Sequence, residues 1–71
     1  MTKDQLSKKV GKRIIEIRSK KGLSQSDLAR ACNKDRQSIE KIENGKVNST
    51  IYSLQTLAEA LHVELFEFFK F

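Results

Sequence analysis

The stretch QSDLARACNKDRQSIEKIEN, residues 25–44, holds two short apolar patterns separated by a polar turn. In the first, Leu28, Ala29 and Cys32 repeat at helical spacing behind Ser24, a strong helix-capping residue, with Asp27 in the first turn. Asn33 tolerates the left-handed backbone of a tight turn, and Asp35 is placed to cap the next helix. The second pattern, about Arg36 to Asn44, has only Ile39 and Ile42 on one side of the helical wheel. Arg36, Gln37, Glu40, Lys41 and Asn44 crowd the other side, and Gly45 ends the run. Two short helices joined by so brief a turn pack crosswise when small and branched residues line their contact. Ala29 permits that approach, Leu28 and Cys32 face inward from one helix, and Ile39 and Ile42 answer from the other.

Outward from this pair the helical signal continues. A first helix is expected from about Lys3 or Asp4 to Lys21, with Leu6, Val10, Ile14 and Ile17 as its apolar stripe, Lys20 and Lys21 at its negative end and Gly22 as its stop. After the polar loop KVNST, in which Asn48, Ser49 or Thr50 is placed to cap, Ile51, Leu54, Leu57, Ala58 and Leu61 mark a fourth helix. Val63 to Phe71 reads as a short fifth helix dense in aromatic residues. With no proline and only three glycines, the expected fold is all-α, a compact five-helix bundle forming one domain over residues 1–71.

A chain of 71 residues buries only about 60% of its unfolded surface, which argues against a deep catalytic cleft. One histidine, one cysteine and scattered acidic residues form no catalytic set. His62 has no ligand partners at repeating spacing, so no metal and no other cofactor is expected, and Cys32 reads as core packing. No leader segment and no apolar run of about 18 residues is evident, so neither a membrane nor an extracellular setting is expected. The net charge of +5 is unevenly spread: residues 1–46 hold 13 Lys and Arg against 6 Asp and Glu, while residues 47–71 hold 1 against 3. A basic half containing the polar helix face suits a polyanionic partner, because neutralised phosphates release counterions.

Taken together, Leu23-Ser24-Gln25, Leu28-Ala29, Ile39 with Ile42-Glu43, Gly45-Lys46 and the pattern Leu54, Leu57, Ala58, Ala60, Leu61 resemble the XRE family, the lambda repressor-like and Cro-like helix-turn-helix proteins. The resemblance spans about residues 10–69. It implies that residues 25–44 form a helix-turn-helix motif whose second helix enters the DNA major groove, about 12 Å wide. By that resemblance Arg36, Gln37 and Lys41 reach base edges. Arginine pairs bidentately with guanine, glutamine with adenine, and lysine reaches guanine acceptors. Gln25, Asn44 and Lys46 fall at phosphate-contacting positions; Ser38, nearer the core side, is a weaker candidate. Glu40 faces the groove as well, either repelling phosphates or accepting from cytosine. Arg18 and Glu43 match a buried, structural ion pair. Asn33 and His62 stand at turns often held by glycine in that family.

In the tail ELFEFFKF, Phe68 and Phe69 match apolar positions that close the family's core, while Phe66 and Phe71 are aromatic where cover is needed. Phe66, Phe68 and Phe71 are expected at a homodimer interface that would set two recognition helices about 34 to 36 Å apart on palindromic DNA. The implied protein is a cytoplasmic, nucleoid-associated transcriptional regulator of bacterial or phage type, with double-stranded DNA as partner and no small-molecule substrate. That profile fits small repressors, restriction-modification controllers and antitoxins. The competing reading keeps the fold but makes a protein, such as a toxin, the main partner.

Overall fold

Four α-helices and a C-terminal 3-10 turn, with no strand, make up the computed structural model, which describes residues 1–71. They are α1 (Lys3–Lys20), α2 (Gln25–Ala31), α3 (Arg36–Glu43), α4 (Ile51–Ala60) and the turn Leu65–Phe69. Each helix starts on a side-chain cap. Thr2 and Ser24 form reciprocal capping boxes with Gln5 and Asp27, and the Asp35 carboxylate and Thr50 hydroxyl accept from the amides of Ser38 and Ser53.

The four helix ends share one device. Gly22, Asn33, Gly45 and His62 all take positive φ, between 56° and 71°. After each, an amide reaches back five residues: Leu23 to Arg18, Lys34 to Ala29, Lys46 to Lys41 and Val63 to Ala58, at 2.8 to 3.2 Å. These are Schellman closures, which satisfy carbonyls that a helix end otherwise leaves bare. Asn33 and His62 therefore perform the task of the glycines at the other two ends. Thr50 is the residue of the KVNST loop that caps α4.

One apolar cluster joins the elements: Val10, Ile14 and Ile17 of α1, Leu28 and Ala29 of α2, Ile39 and Ile42 of α3, then Leu54, Leu57, Ala58, Leu61 and Phe68. Helix α1 packs on α3 and on the C-terminal turn, and α2 packs on α3. The α1–α3 approach is close because Gly11 carries no side chain: a Cβ there would overlap the backbone carbonyl oxygens of Ile42 and Glu43.

Four sequence expectations need correction. Leu6 and Ile51 lie on the expected apolar stripes, yet both are exposed, Ile51 at 75%, because the first turns of α1 and α4 are left partly uncovered by the core. A fifth α-helix is not formed; the segment is a five-residue 3-10 turn. With about three residues per turn, Leu65 and Phe68 share its inner side, whereas Phe66 and Phe69 share its outer side. Phe68 is wholly buried in the monomer, so its ring is unavailable to a second subunit, and Phe69 is exposed instead of closing the core.

Candidate nucleic-acid interface

Helix α3 is fixed from below by its apolar residues and by one buried charge. Glu43 has a side chain only 1% exposed, and Arg18 of α1 meets it with two parallel bonds, Nε to Oε2 at 2.7 Å and Nη2 to Oε1 at 3.0 Å. The remaining Arg18 nitrogen donates to the Leu23 carbonyl at 2.8 Å, tying the α1–α2 turn to the same point. A fork-to-fork pair of this kind fixes orientation as well as distance.

The pairing continues outward. Gln25, the first residue of α2, donates its amide Nε2 to Glu43 Oε1 at 2.9 Å and accepts from Arg36 Nη1 at 3.2 Å on its Oε1. These two bonds assign opposite ends of the amide. Arg36 also lies 3.6 Å from Glu40 Oε2, one helical turn on. A chain of side chains thus runs from the buried ion pair, through Gln25, to the exposed head of α3.

Arg36, Gln37, Lys41 and Asn44 are all exposed, on the side of α3 opposite Ile39 and Ile42. Glu40 is half-buried beside Arg36, and Lys46 is exposed just beyond the Gly45 turn. Ser38 lies toward α4, where it lines an open hollow of about 250 Å³ with Lys34, Lys41, Asn48 and Ser49. The residues named from sequence as base-reading therefore share one outward surface. Gln25, expected at a phosphate from its place at the head of α2, also bonds to Glu43 and Arg36 within the protein.

Two anchors had no local signal in the sequence. Gly11 sets the depth at which α1 meets α3. Arg13 holds the C-terminal turn, donating from Nε to the Glu67 carbonyl at 2.9 Å and lying 3.5 Å from the Glu67 carboxylate. On that turn Phe66 and Phe71 are exposed, with Lys70 over the Phe66 ring and Lys9 over the Phe71 ring at 5.1 and 5.4 Å from the centroids. Cys32 is half-buried, its Sγ donates to the Leu28 carbonyl at 3.1 Å, and burial pushes its thiol pKa up.

Comparison with known proteins places this geometry. Residues 14–68 match the helix-turn-helix family HTH_3. The HTH-type transcriptional regulator PuuR of Escherichia coli (strain K12) is 41% identical over 60 residues, which are 84% of this chain and 32% of PuuR; the chain thus spans about a third of that relative's length. The restriction-modification controller protein C.AhdI from Aeromonas hydrophila superposes with a TM-score of 0.84 at 38% identity, covering 90% of this chain and 96% of that one. The controller protein C.Esp1396I, solved as a tetramer in complex with its natural 35 base-pair operator, superposes with a TM-score of 0.83 at 42% identity over 92% of this chain and 86% of that one. With its two crossed helices, polar outer ridge and a match extending over most of its length, the chain belongs to the HTH_3 helix-turn-helix family, of the XRE type.

Proposed function

We propose that the protein is a cytoplasmic, sequence-specific transcriptional regulator that binds double-stranded DNA as a homodimer, with α3 in the major groove of each half of a palindromic operator. One observation carries the reading: Arg36, Gln37, Lys41 and Asn44 stand together on the exposed face of a helix whose other face is locked into the core. Arg36, Gln37 and Lys41 read bases, and Asn44, Lys46 and Ser38 meet backbone phosphates around them. Gln25 supports Arg36 by holding its guanidinium, and Glu40 biases the same group from within α3. The operator complex of C.Esp1396I supports the DNA reading by similarity. Phe66 and Phe71, now joined by Phe69, form the apolar surface on which a second subunit would sit.

The same exposed aromatic residues favour a second reading, in which another protein, such as a toxin, occupies that surface. Fluorescence anisotropy separates the two. Titration of mixed-sequence duplexes at low and moderate salt is expected to give salt-sensitive binding, and selection from a randomised pool should then recover a palindrome. Absence of any duplex binding at low salt would remove the DNA reading and leave the protein-partner one.

A further inference from the structure

We infer that the outer face of α1 makes a second, sequence-independent contact with the duplex through Lys8, Lys9 and Lys12, an inference that rests on the DNA reading above. All three are exposed and none stands in an ion pair, the Lys9 ammonium resting only on the exposed Phe71 ring, whereas Arg13, Arg18, Arg30, Arg36 and Lys70 each meet a carboxylate. The carboxylates nearest in sequence do not neutralise the row: Glu16 lies 3.6 Å from Arg13, and Asp4 forms no ion pair. Like charges one helical turn apart, as at Lys8 and Lys12, weaken an isolated helix, so the row is a cost to the free protein.

Its position gives it a partner. Lys8 lies against the turn that ends α3, so close that a Cβ on Gly45 would come within 2.8 Å of the Lys8 nitrogen and Cα. Lys8, Lys9 and Lys12 line one open hollow of about 500 Å³ together with Asn44, the residue that caps the end of α3, and Glu43, whose carboxylate is already taken by Arg18. The lysine row therefore continues the surface of Asn44 and Lys46 past the C-terminal end of the groove-facing helix. DNA phosphates recur along each strand, so a backbone met by Asn44 and Lys46 continues beyond them as the extended polyanion that three ammonium groups without a carboxylate partner fit. No base edge is needed for that contact, so it adds affinity and leaves sequence choice to α3.

The test compares two triple variants of equal charge. K8Q/K9Q/K12Q removes the row, and K3Q/K20Q/K21Q removes three exposed lysines from the two ends of the same helical segment. Glutamine is close to lysine in helix propensity, so circular dichroism should show both variants folded. Binding is measured against salt on the duplex that the wild type selects and on a mixed-sequence duplex of the same length. Loss of the row should make the slope of log affinity against log salt shallower by about 0.9 to 2.7, for one to three phosphates released. The preference for the selected duplex should stay as in the wild type, and the end variant should keep the wild-type slope. An unchanged slope in K8Q/K9Q/K12Q, or an equal change in both variants, overturns the inference while leaving the DNA reading in place. Failure of the wild type to bind either duplex at low salt overturns both.

Discussion

Two regions of the molecule are tied to α1 by an arginine, and they are finished to different degrees. Under α3, the buried Glu43 and the largely covered Arg18 are doubly bonded and extended through Gln25, and no buried side-chain polar atom is left unpartnered. At the C-terminal turn, Arg13 holds Glu67 and Phe68 fills the core, yet Phe66, Phe69 and Phe71 are exposed. The first region has the character of a rigid mount, in which every buried side-chain polar group is satisfied within the chain. The second keeps apolar area open, as the proposed second subunit would require.

The mount under α3 depends most on Glu43. Glu43→Ala strands the Arg18 guanidinium and removes the acceptor of Gln25, a loss of about 3 to 5 kcal/mol. For 71 residues the whole folding free energy is roughly 4 to 11 kcal/mol, so the variant should lose between about a quarter and all of its stability. Thermal denaturation followed by circular dichroism checks this, and a Tm within a few degrees of the wild type would show that the mount is not structural. The paired change Arg18→Met with Glu43→Leu, which strands no charge, should recover most of the lost stability.

The aromatic turn sharpens the contrast, since adjacent rings should behave in opposite ways. Phe68→Ala empties a fully buried site and should cost about 3 to 5 kcal/mol. Phe66→Ala and Phe71→Ala should leave monomer stability within about 0.5 kcal/mol and instead shift the protein toward monomer. Analytical ultracentrifugation reads the second effect and melting at dilute concentration the first. If Phe66→Ala melts as low as Phe68→Ala, the outer side of the turn belongs to the core.

These two regions also differ in how well they could be read from residues. Around α3 the decisive signals are local: Asp35 at a cap position, Ile39 and Ile42 three apart, Gly45 at the stop. Each acts over a single turn of helix, where spacing determines who meets whom. The outward set of Arg36, Gln37, Lys41 and Asn44 was legible for the same reason. At the tail, the choice between an α-helix and a 3-10 turn changes which phenylalanines share a face, and tertiary contact makes that choice. Arg13 and Glu67 lie 54 positions apart, and Gly11 matters only because the Ile42 and Glu43 carbonyls approach it. Gln25 fell between the two cases. Its position at the head of α2 was readable, but its engagement by Glu43 and Arg36 depends on how deeply α3 is seated.

A smaller effect is expected at the junction between mount and surface. Arg36→Ala should relax base preference at a single position in each half-site by about 1 to 3 kcal/mol, without changing preference elsewhere. Gln25→Ala leaves Arg36 present but unheld, and should weaken the same preference less. Selection of bound duplexes for each variant provides the measurement. A uniform loss over all sequences in Arg36→Ala would place this arginine on a phosphate.

The smallest effect concerns the cap that starts α3. The Ser38 amide donates to the Asp35 carboxylate at 2.7 Å, and this bond, aided by the Ser38 side chain, holds the Asp35 pKa below its ordinary value. The Ser24 amide and side chain lower Asp27 likewise at the head of α2. A carboxyl group that is more acidic in the folded chain binds fewer protons there than in the unfolded chain. Its contribution to stability is therefore complete above the ordinary carboxylate range, about pH 4, and is lost as pH falls through the folded-state value. Asp35→Ala should accordingly lower Tm at neutral pH, and the gap to the wild type should narrow as the solution is acidified below about pH 4. Asp35→Asn keeps an acceptor for the Ser38 amide without the charge, so it should lie between the two at neutral pH. Because α3 is also held by Glu43, Ile39 and Ile42, loss of this cap should fray the end that carries Arg36 and Gln37 before it unfolds the bundle. Amide exchange at Ser38 and Ile39 should rise in Asp35→Ala while Ile42 stays protected; equal exchange along α3 would mean that the helix opens as a unit.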